Sequence, residues 1–353
     1  MYLTSDQRVA ILLHEGIRGD HGKTGLTLLR YSKATVVAVI DQDCAGESLS
    51  DLTGINCTAP IVASVSSALA YNPTILAIGI APSGGRLPEV WWQEVKQGIA
   101  AGLSVYNGLH TPMASDPELQ ELLQPNQQIW DIRQEPQGLG IGKAQARSLS
   151  CQRILTVGTD MSVGKMSTSI EFHRAACRKG IKSKFLATGQ AGLMIAGDGI
   201  PLDAIRVDFA AGAVEQIVMK FGKDYELLMI EGQGSLIHPG STATLPLIRG
   251  TQPTGLIVVH RAGQTHIRHC PDVAIPPLRE VIHLYETVAR AGGAFAPIPV
   301  VAIALNTGHL PEKKAQDAIA QVQDETGLPC TDVVRFGADL LVDKWVDTIK
   351  VNG

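Results

Sequence analysis

Residues 158–165 read Gly-Thr-Asp-Met-Ser-Val-Gly-Lys, with Met166 and Ser167 directly after. A glycine loop ending in Gly-Lys at the mouth of a helix is a phosphate holder. Its backbone N–H groups point inward, the helix N-terminus adds partial positive charge, and the lysine adds a full charge. The expected phosphate set is Gly158, Thr159, Asp160, Gly164 and Lys165, with Met166 and Ser167 on the first helical turn. The usual loop has four residues before Gly-Lys, and this one has five. The hydroxyl that normally follows the lysine and reaches Mg²⁺ is missing. Met166 offers only a soft thioether there, a poor ligand for a hard cation. Ser167 lies about 100° further around the helix and does not simply replace it. Two ligands therefore compete. One is ATP, its Mg²⁺ held by Asp160 and Glu231. The other carries phosphates without needing a catalytic metal, as coenzyme A does.

Other residues invite the same question. Gly16-Ile-Arg-Gly-Asp-His-Gly22-Lys23-Thr24 repeats the five-residue gap with the threonine present, making Gly22, Lys23 and Thr24 a second phosphate candidate. Its interior is bulkier and charged. Asp41 ends an apolar run where a dinucleotide-binding sheet often places a ribose-binding acid. Glu231 ends the apolar run 227–230 and precedes Gly-x-Gly. His260, His266, His269 and Cys270 cluster within 260–272, but their spacing fits no ordinary four-ligand zinc site, and a polar loop is expected.

These residues need a scaffold. Apolar, β-branched runs at 9–13, 35–41, 59–64 and 74–82 alternate with helical periods near 24–32 and 88–101. Further runs fall at 153–157, 183–188, 226–231, 255–260, 298–305 and 331–335. Helix faces recur at 208–221, stopped by Gly222, and at 278–291. The alternation predicts two α/β layered domains with parallel sheets, 1–140 and 141–353, joined through the Gly- and Gln-rich stretch 134–150. Ligands of such sheets bind at the carboxyl ends of strands, where Gly158, Thr188, Glu231, His260 and Asn306 fall.

Composition sets limits. The 353 residues are 45% hydrophobic and 18% charged, with a net charge of −4, which suits large cores. The absence of a basic tract argues against nucleic acid as a partner. The start, MYLTSDQRVA, carries no signal-peptide pattern, and the uncharged run between Arg290 and Glu312 is broken by glycine and proline. The six scattered cysteines form no CxxC pair and suit a reducing compartment. A cytoplasmic enzyme with a small-molecule substrate and no membrane partner is expected. A homo-oligomer is possible, with nothing to locate its interface.

The phosphate loop resembles those of dethiobiotin synthetase and the amidotransferases of cobalamin synthesis, in which the acid at the position of Glu231 faces the metal. Asn306 then resembles an adenine-reading asparagine. More of the chain resembles one two-domain family, long listed as a domain of unknown function and now associated with D-glutamate N-acetyltransferase. The matching stretches are 23–32, 36–41, 78–85, 105–110, 157–169, 187–215, 230–240 and 303–308. Gly-Lys-Met looks usual for that family. The resemblance implies a Rossmann-like N-terminal domain, a P-loop NTPase-like C-terminal domain, and acetyl-CoA as donor to an acidic amino acid.

Acetyl transfer to an amine requires a base, oxyanion donors and cations for substrate carboxylates. Asp208, Glu231 and His260 are the candidate bases. Asp208 has an alternative reading as a helix N-cap, and His260 as a structural loop histidine. Arg206 and Arg261 are substrate-binding candidates together with Gln190 in Ala-Thr-Gly-Gln-Ala-Gly, though each arginine is also readable as a solvated surface residue. The open alternatives are ATP-dependent carboxylate activation and nucleotide sensing without turnover.

Overall fold

The computed structural model describes residues 1–82 and 85–352, the side chains of Val351 and Asn352 excepted. Ser83 and Gly84 of the stretch 78–85 lie outside the described residues. The chain forms two compact units, residues 1–135 with 190–197, and 136–189 with 198–353.

The first unit runs β1 (Arg8–Leu12), α1 (Lys23–Tyr31), β2 (Thr35–Ile40), α2 (Leu49–Thr53), β3 (Ile61–Val62), α3 (Val65–Ala68), β4 (Ile75–Ile78), α4 (Glu89–Ala100), β5 (Ser104–Asn107), α5 (Pro117–Leu122) and β6 (Ile129–Asp131). Its strands pair in parallel in the order β3-β2-β1-β4-β5-β6, the order of doubly wound dinucleotide-binding sheets. β4 is buried at every residue, as a strand covered on both faces requires. It stops at Ile78, shorter than the run 74–82, because the Gly79 carbonyl accepts from the Gly25 N–H and the Ala81 N–H turns to the His21 carbonyl.

The second unit begins with β7 (Gln152–Gly158), α6 (Lys165–Arg178) and β8 (Ser183–Leu186). The next helix, α7 (Gln190–Ala196), belongs to the first unit, where it packs on α1. The second unit resumes with α8 (Val207–Phe221), β9 (Leu227–Ile230), α9 (Thr244–Thr251), β10 (Gly255–Arg261), β11 (His266–Ile267), β12 (Cys270–Ala274), α10 (Leu278–Val288), β13 (Val300–Asn306), α11 (Glu312–Thr326), β14 (Cys330–Thr331) and α12 (Asp339–Asn352). Its six parallel strands run β14-β13-β10-β7-β9-β8, and β11 and β12 form a separate antiparallel ribbon. Two apolar clusters bury the faces of this sheet, one around Leu155, Val258 and Tyr285, the other around Phe172, Met229 and Trp345.

The stretch read as a connection behaves differently from a linker. Residues 136–150 pack into the second unit along α8. Both Glu215 carboxylate oxygens accept from the Lys143 N–H at 3.1 Å, and one accepts from the Gln145 N–H at 2.6 Å. A Cβ at Gly212 would lie 1.8 Å from the Gly140 carbonyl oxygen, so only glycine admits the strap this closely. Gly222 does close α8, but with φ −65 rather than in the left-handed form common at helix ends; there a Cβ would strike the Leu149 side chain at 2.3 Å. Among the described residues, no helix is long and apolar enough to cross a membrane.

Candidate functional site

The loop 158–165 leaves β7, a strand inside the sheet flanked by β10 and β9, and enters α6 at Lys165. Because all six strands are parallel, Gly158, Glu231, His260 and Asn306 stand on one edge. Thr188 follows β8 on the same edge. The strand-end placement expected from the sequence is therefore observed.

Gly164 takes φ +118, a conformation natural to glycine, and it caps α6 with no side chain over the helix N-terminus. Lys165 is buried, and its ammonium donates to the Asp160 carbonyl at 2.7 Å, inside the curve of the loop. The lysine is thus held where loop and helix dipole converge, the arrangement that favours an anion. Asn306 ties the loop from outside. Its Nδ2 donates to the Val163 carbonyl at 3.1 Å, and its Oδ1 accepts from the Gly308 N–H. The asparagine that resembles an adenine reader is engaged as a loop latch.

Asp160 is 1% exposed. Its Oδ1 accepts from the Met161 N–H at 2.6 Å; its Oδ2 accepts from Gln264 Nε2 at 2.6 Å and the Arg268 N–H at 2.7 Å. With both oxygens engaged, it rigidifies the loop. Met166 is also buried, its thioether at the place of the expected hydroxyl, while Ser167 is half-buried one position on. Thr159 Oγ1 lies 2.9 Å from His260 Nδ1 in a buried hydrogen bond. Burial pushes the His260 imidazole down to about 4, so it is neutral at physiological pH.

Glu231 occupies the opposite flank of the loop, at the end of β9. Its Oε2 accepts from the Thr188 N–H at 2.9 Å and the Gly189 N–H at 3.3 Å, and its carbonyl accepts from the Thr188 hydroxyl. Gln233 Nε2 donates to the Thr188 carbonyl. A buried carboxylate with directed N–H donors is suited to face an ammonium group or a metal.

Other candidates lie elsewhere. Arg206 and Asp208 are exposed at the start of α8. Arg206 precedes the helix, its guanidinium 4.8 Å from the Phe209 ring centre, and Asp208 is the second helical residue rather than the N-cap. Arg261 is the exception: it is exposed at the end of β10 and lines a cleft together with residues 160–163 of the loop. In the first unit, Gln190 Nε2 donates to Thr24 Oγ1 at 3.1 Å, so two residues expected in separate roles meet. Lys23 is exposed on the first turn of α1, and Gly22 abuts Gly16. Asp41 is buried and caps its own following turn through the Asp43 N–H.

Two supporting side chains escaped the sequence reading. The Tyr285 hydroxyl, fully buried on α10, donates to the Gly158 carbonyl at 2.7 Å and accepts from the Leu236 N–H. His238 accepts from the Gly240 N–H at Nδ1, which leaves its Nε2 as the protonated nitrogen, 3.8 Å from Asp160 Oδ1. By spacing alone Tyr285 is one more position on the helix face 278–291; only its distant contact reveals its use.

A family model described as a domain of unknown function, the DUF1611 P-loop domain, matches residues 140–342, and the DUF1611 Rossmann-like N-terminal domain matches residues 42–135. The chain belongs to the DUF1611 family. It is 36% identical over 285 residues to D-glutamate N-acetyltransferase of Tritonibacter scottomollicae, and 33% identical over 281 residues to a Pseudoalteromonas protein of the same name. Each alignment covers 79% of this chain and 83% of the relative. The crystal structure of a DUF1611 family protein from Anabaena variabilis is 64% identical, with a TM-score of 0.95 over 97% of this chain and 100% of that one. Both curated relatives are named as enzymes, and this chain is an enzyme of their family.

Proposed function

We propose that this enzyme moves an acetyl group from acetyl-CoA to the amine of an acidic amino acid, D-glutamate. The names of its relatives support the reaction class. The observation that carries the choice of donor is the chemistry at the loop. Lys165 and the uncapped start of α6 favour phosphate, while Met166 replaces the hydroxyl and both Asp160 oxygens are engaged by N–H donors. That set suits the diphosphate of a coenzyme better than a metal–triphosphate.

In the reaction the amine nitrogen attacks the thioester carbonyl carbon. The C–N bond forms, the C–S bond breaks, and the coenzyme leaves as a thiolate that takes up a proton. The acceptor must first lose a proton from its ammonium group. Among the candidate bases, Glu231 fits best. It is buried, fixed by two N–H groups, and stands beside the phosphate loop. His260, pushed down to about 4, is a weak base at neutral pH and serves to orient Thr159. Asp208 is exposed.

The same Glu231 carboxylate favours a second reading, ATP-dependent activation of a carboxylate with Mg²⁺ at that acid. One assay separates the two. Acetyl transfer from acetyl-CoA to D-glutamate that persists in EDTA, and falls steeply in Glu231→Gln, supports the first. Magnesium-dependent ADP release with a carboxylate substrate, and no acetyl transfer, overturns it.

A further inference from the structure

A cleft of about 420 Å³ opens on the β10/β13 side of the phosphate loop. One wall is the outer face of residues 160–163; the others carry Arg261, Gln264, His266, Arg268 and His309. The four cationic or imidazole side chains are exposed. The Arg261 guanidinium makes no hydrogen bond or ion pair among the described residues, while the residue's carbonyl accepts from the Gln264 N–H. The carboxylate in the cleft wall, Asp160, already takes hydrogen bonds from Met161, Gln264 and Arg268. On the β9/β8 side of the loop the polar group is instead the Glu231 carboxylate. The loop therefore divides the sheet edge into a basic flank and an acidic flank.

We propose that the basic cleft is a second anion subsite that takes a phosphate monoester, the 3′-phosphate on the ribose of coenzyme A, while the loop holds the diphosphate. This rests on acetyl-CoA being the donor. A ligand with its diphosphate in the loop has one ribose between that group and the next anion, and the cleft shares residues 160–163 with the loop. A guanidinium matches phosphate oxygens with paired N–H donors. ADP and ATP have no 3′-phosphate, so the cleft selects coenzyme A over them. The amine-bearing acceptor belongs on the acidic flank.

The test is calorimetry of the full chain with coenzyme A, 3′-dephospho-coenzyme A, adenosine 3′,5′-bisphosphate and AMP, on wild type and Arg261→Ala. The wild type should prefer each 3′-phosphorylated ligand by about tenfold, and Arg261→Ala should lose most of that preference. The KM for D-glutamate should stay unchanged in the variant. Equal binding with and without the 3′-phosphate, or a raised acceptor KM with donor KM unaltered, overturns the subsite alone. If neither coenzyme form binds but the bisphosphate still outbinds AMP through Arg261, the subsite stands and the donor reading falls. If nothing binds, both fall.

Discussion

Two loops in this chain have the same spacing and different backbones. Gly16–Thr24 follows β1, Gly158–Met166 follows β7, and in each the lysine is the first residue of the ensuing helix. Around Lys165, Gly164 has φ +118 and the ammonium is drawn onto the loop's own carbonyl. Around Lys23, Gly22 has φ −85, and a Cβ there would lie 2.0 Å from the Gly16 carbonyl oxygen. The Gly25 N–H, in the first turn of α1, donates to Gly79. Thr24, the hydroxyl that matches the nucleotide pattern better than Met166 does, accepts from Gln190. The same spacing thus goes with two different backbone courses, and only the loop at Lys165 brings the ammonium onto its own carbonyl.

The largest expected effect breaks the closed loop. Gly22→Ala sets a methyl against backbone on the far side of the turn and should destabilise the first unit by about 4 kcal/mol. Urea unfolding followed by tryptophan fluorescence reports it, since Trp91, Trp92 and Trp130 lie in that unit. An unchanged midpoint would mean the two glycines are not locked together. Next comes His260. Its folded value, about 4, lies below the ordinary 6.5, so the unfolded chain binds the proton more readily. Its contribution is intact above pH 6.5, declines as pH falls, and is fully lost below about 4, at a cost of up to about 3 kcal/mol. His260→Asn should flatten that part of the stability–pH curve; an identical slope in the variant would place the acid sensitivity elsewhere.

The legible parts of the molecule are those set by local pattern. Strands with unbroken apolar runs, such as 227–230, declare a sheet covered on both faces, and Gly158, Glu231, His260 and Asn306 then fall on one edge by topology. Partnerships across long sequence separations stay hidden. Nothing near Asp160 signals Gln264, 104 residues away, and nothing near Gly158 signals Tyr285, 127 away. The strap 136–150 reads as a linker from its glycines, yet it packs against α8, admitted by Gly212 of that helix and by Gly142, whose added Cβ would meet Ala211 at 3.1 Å. The same residue type marks flexibility in a sequence and close packing in a fold, and only the partner tells which.

Removing the charge sharpens the contrast between the loops. Lys165→Ala should reduce kcat/KM for the phosphate-bearing substrate about a hundredfold, the scale of a buried charge-assisted contact. Unimpaired kinetics would refute the loop as the phosphate site. Gly164→Ala forces a Cβ into a left-handed position with no neighbour nearer than 3.9 Å, so its cost is backbone strain of about 1–2 kcal/mol rather than collision. It should weaken ligand binding more than it lowers the unfolding midpoint. The reverse order would mean that the turn serves stability first.

The smallest effect is expected at Lys23, the counterpart of Lys165. It is exposed at the start of α1, where the Gly25 N–H is turned to a protein carbonyl and the loop glycines abut each other. An exposed charge there is screened by solvent and contributes on the order of 0.5 kcal/mol or less. Lys23→Ala should therefore change donor affinity less than twofold. Thr24→Val, which removes the hydroxyl accepting from Gln190, should cost about 1 kcal/mol of stability and leave phosphate affinity alone. A tenfold loss of affinity in Lys23→Ala would mean that this loop opens to take a phosphate after all. Spacing would then count for more than the backbone arrangement on which the distinction between the two loops rests.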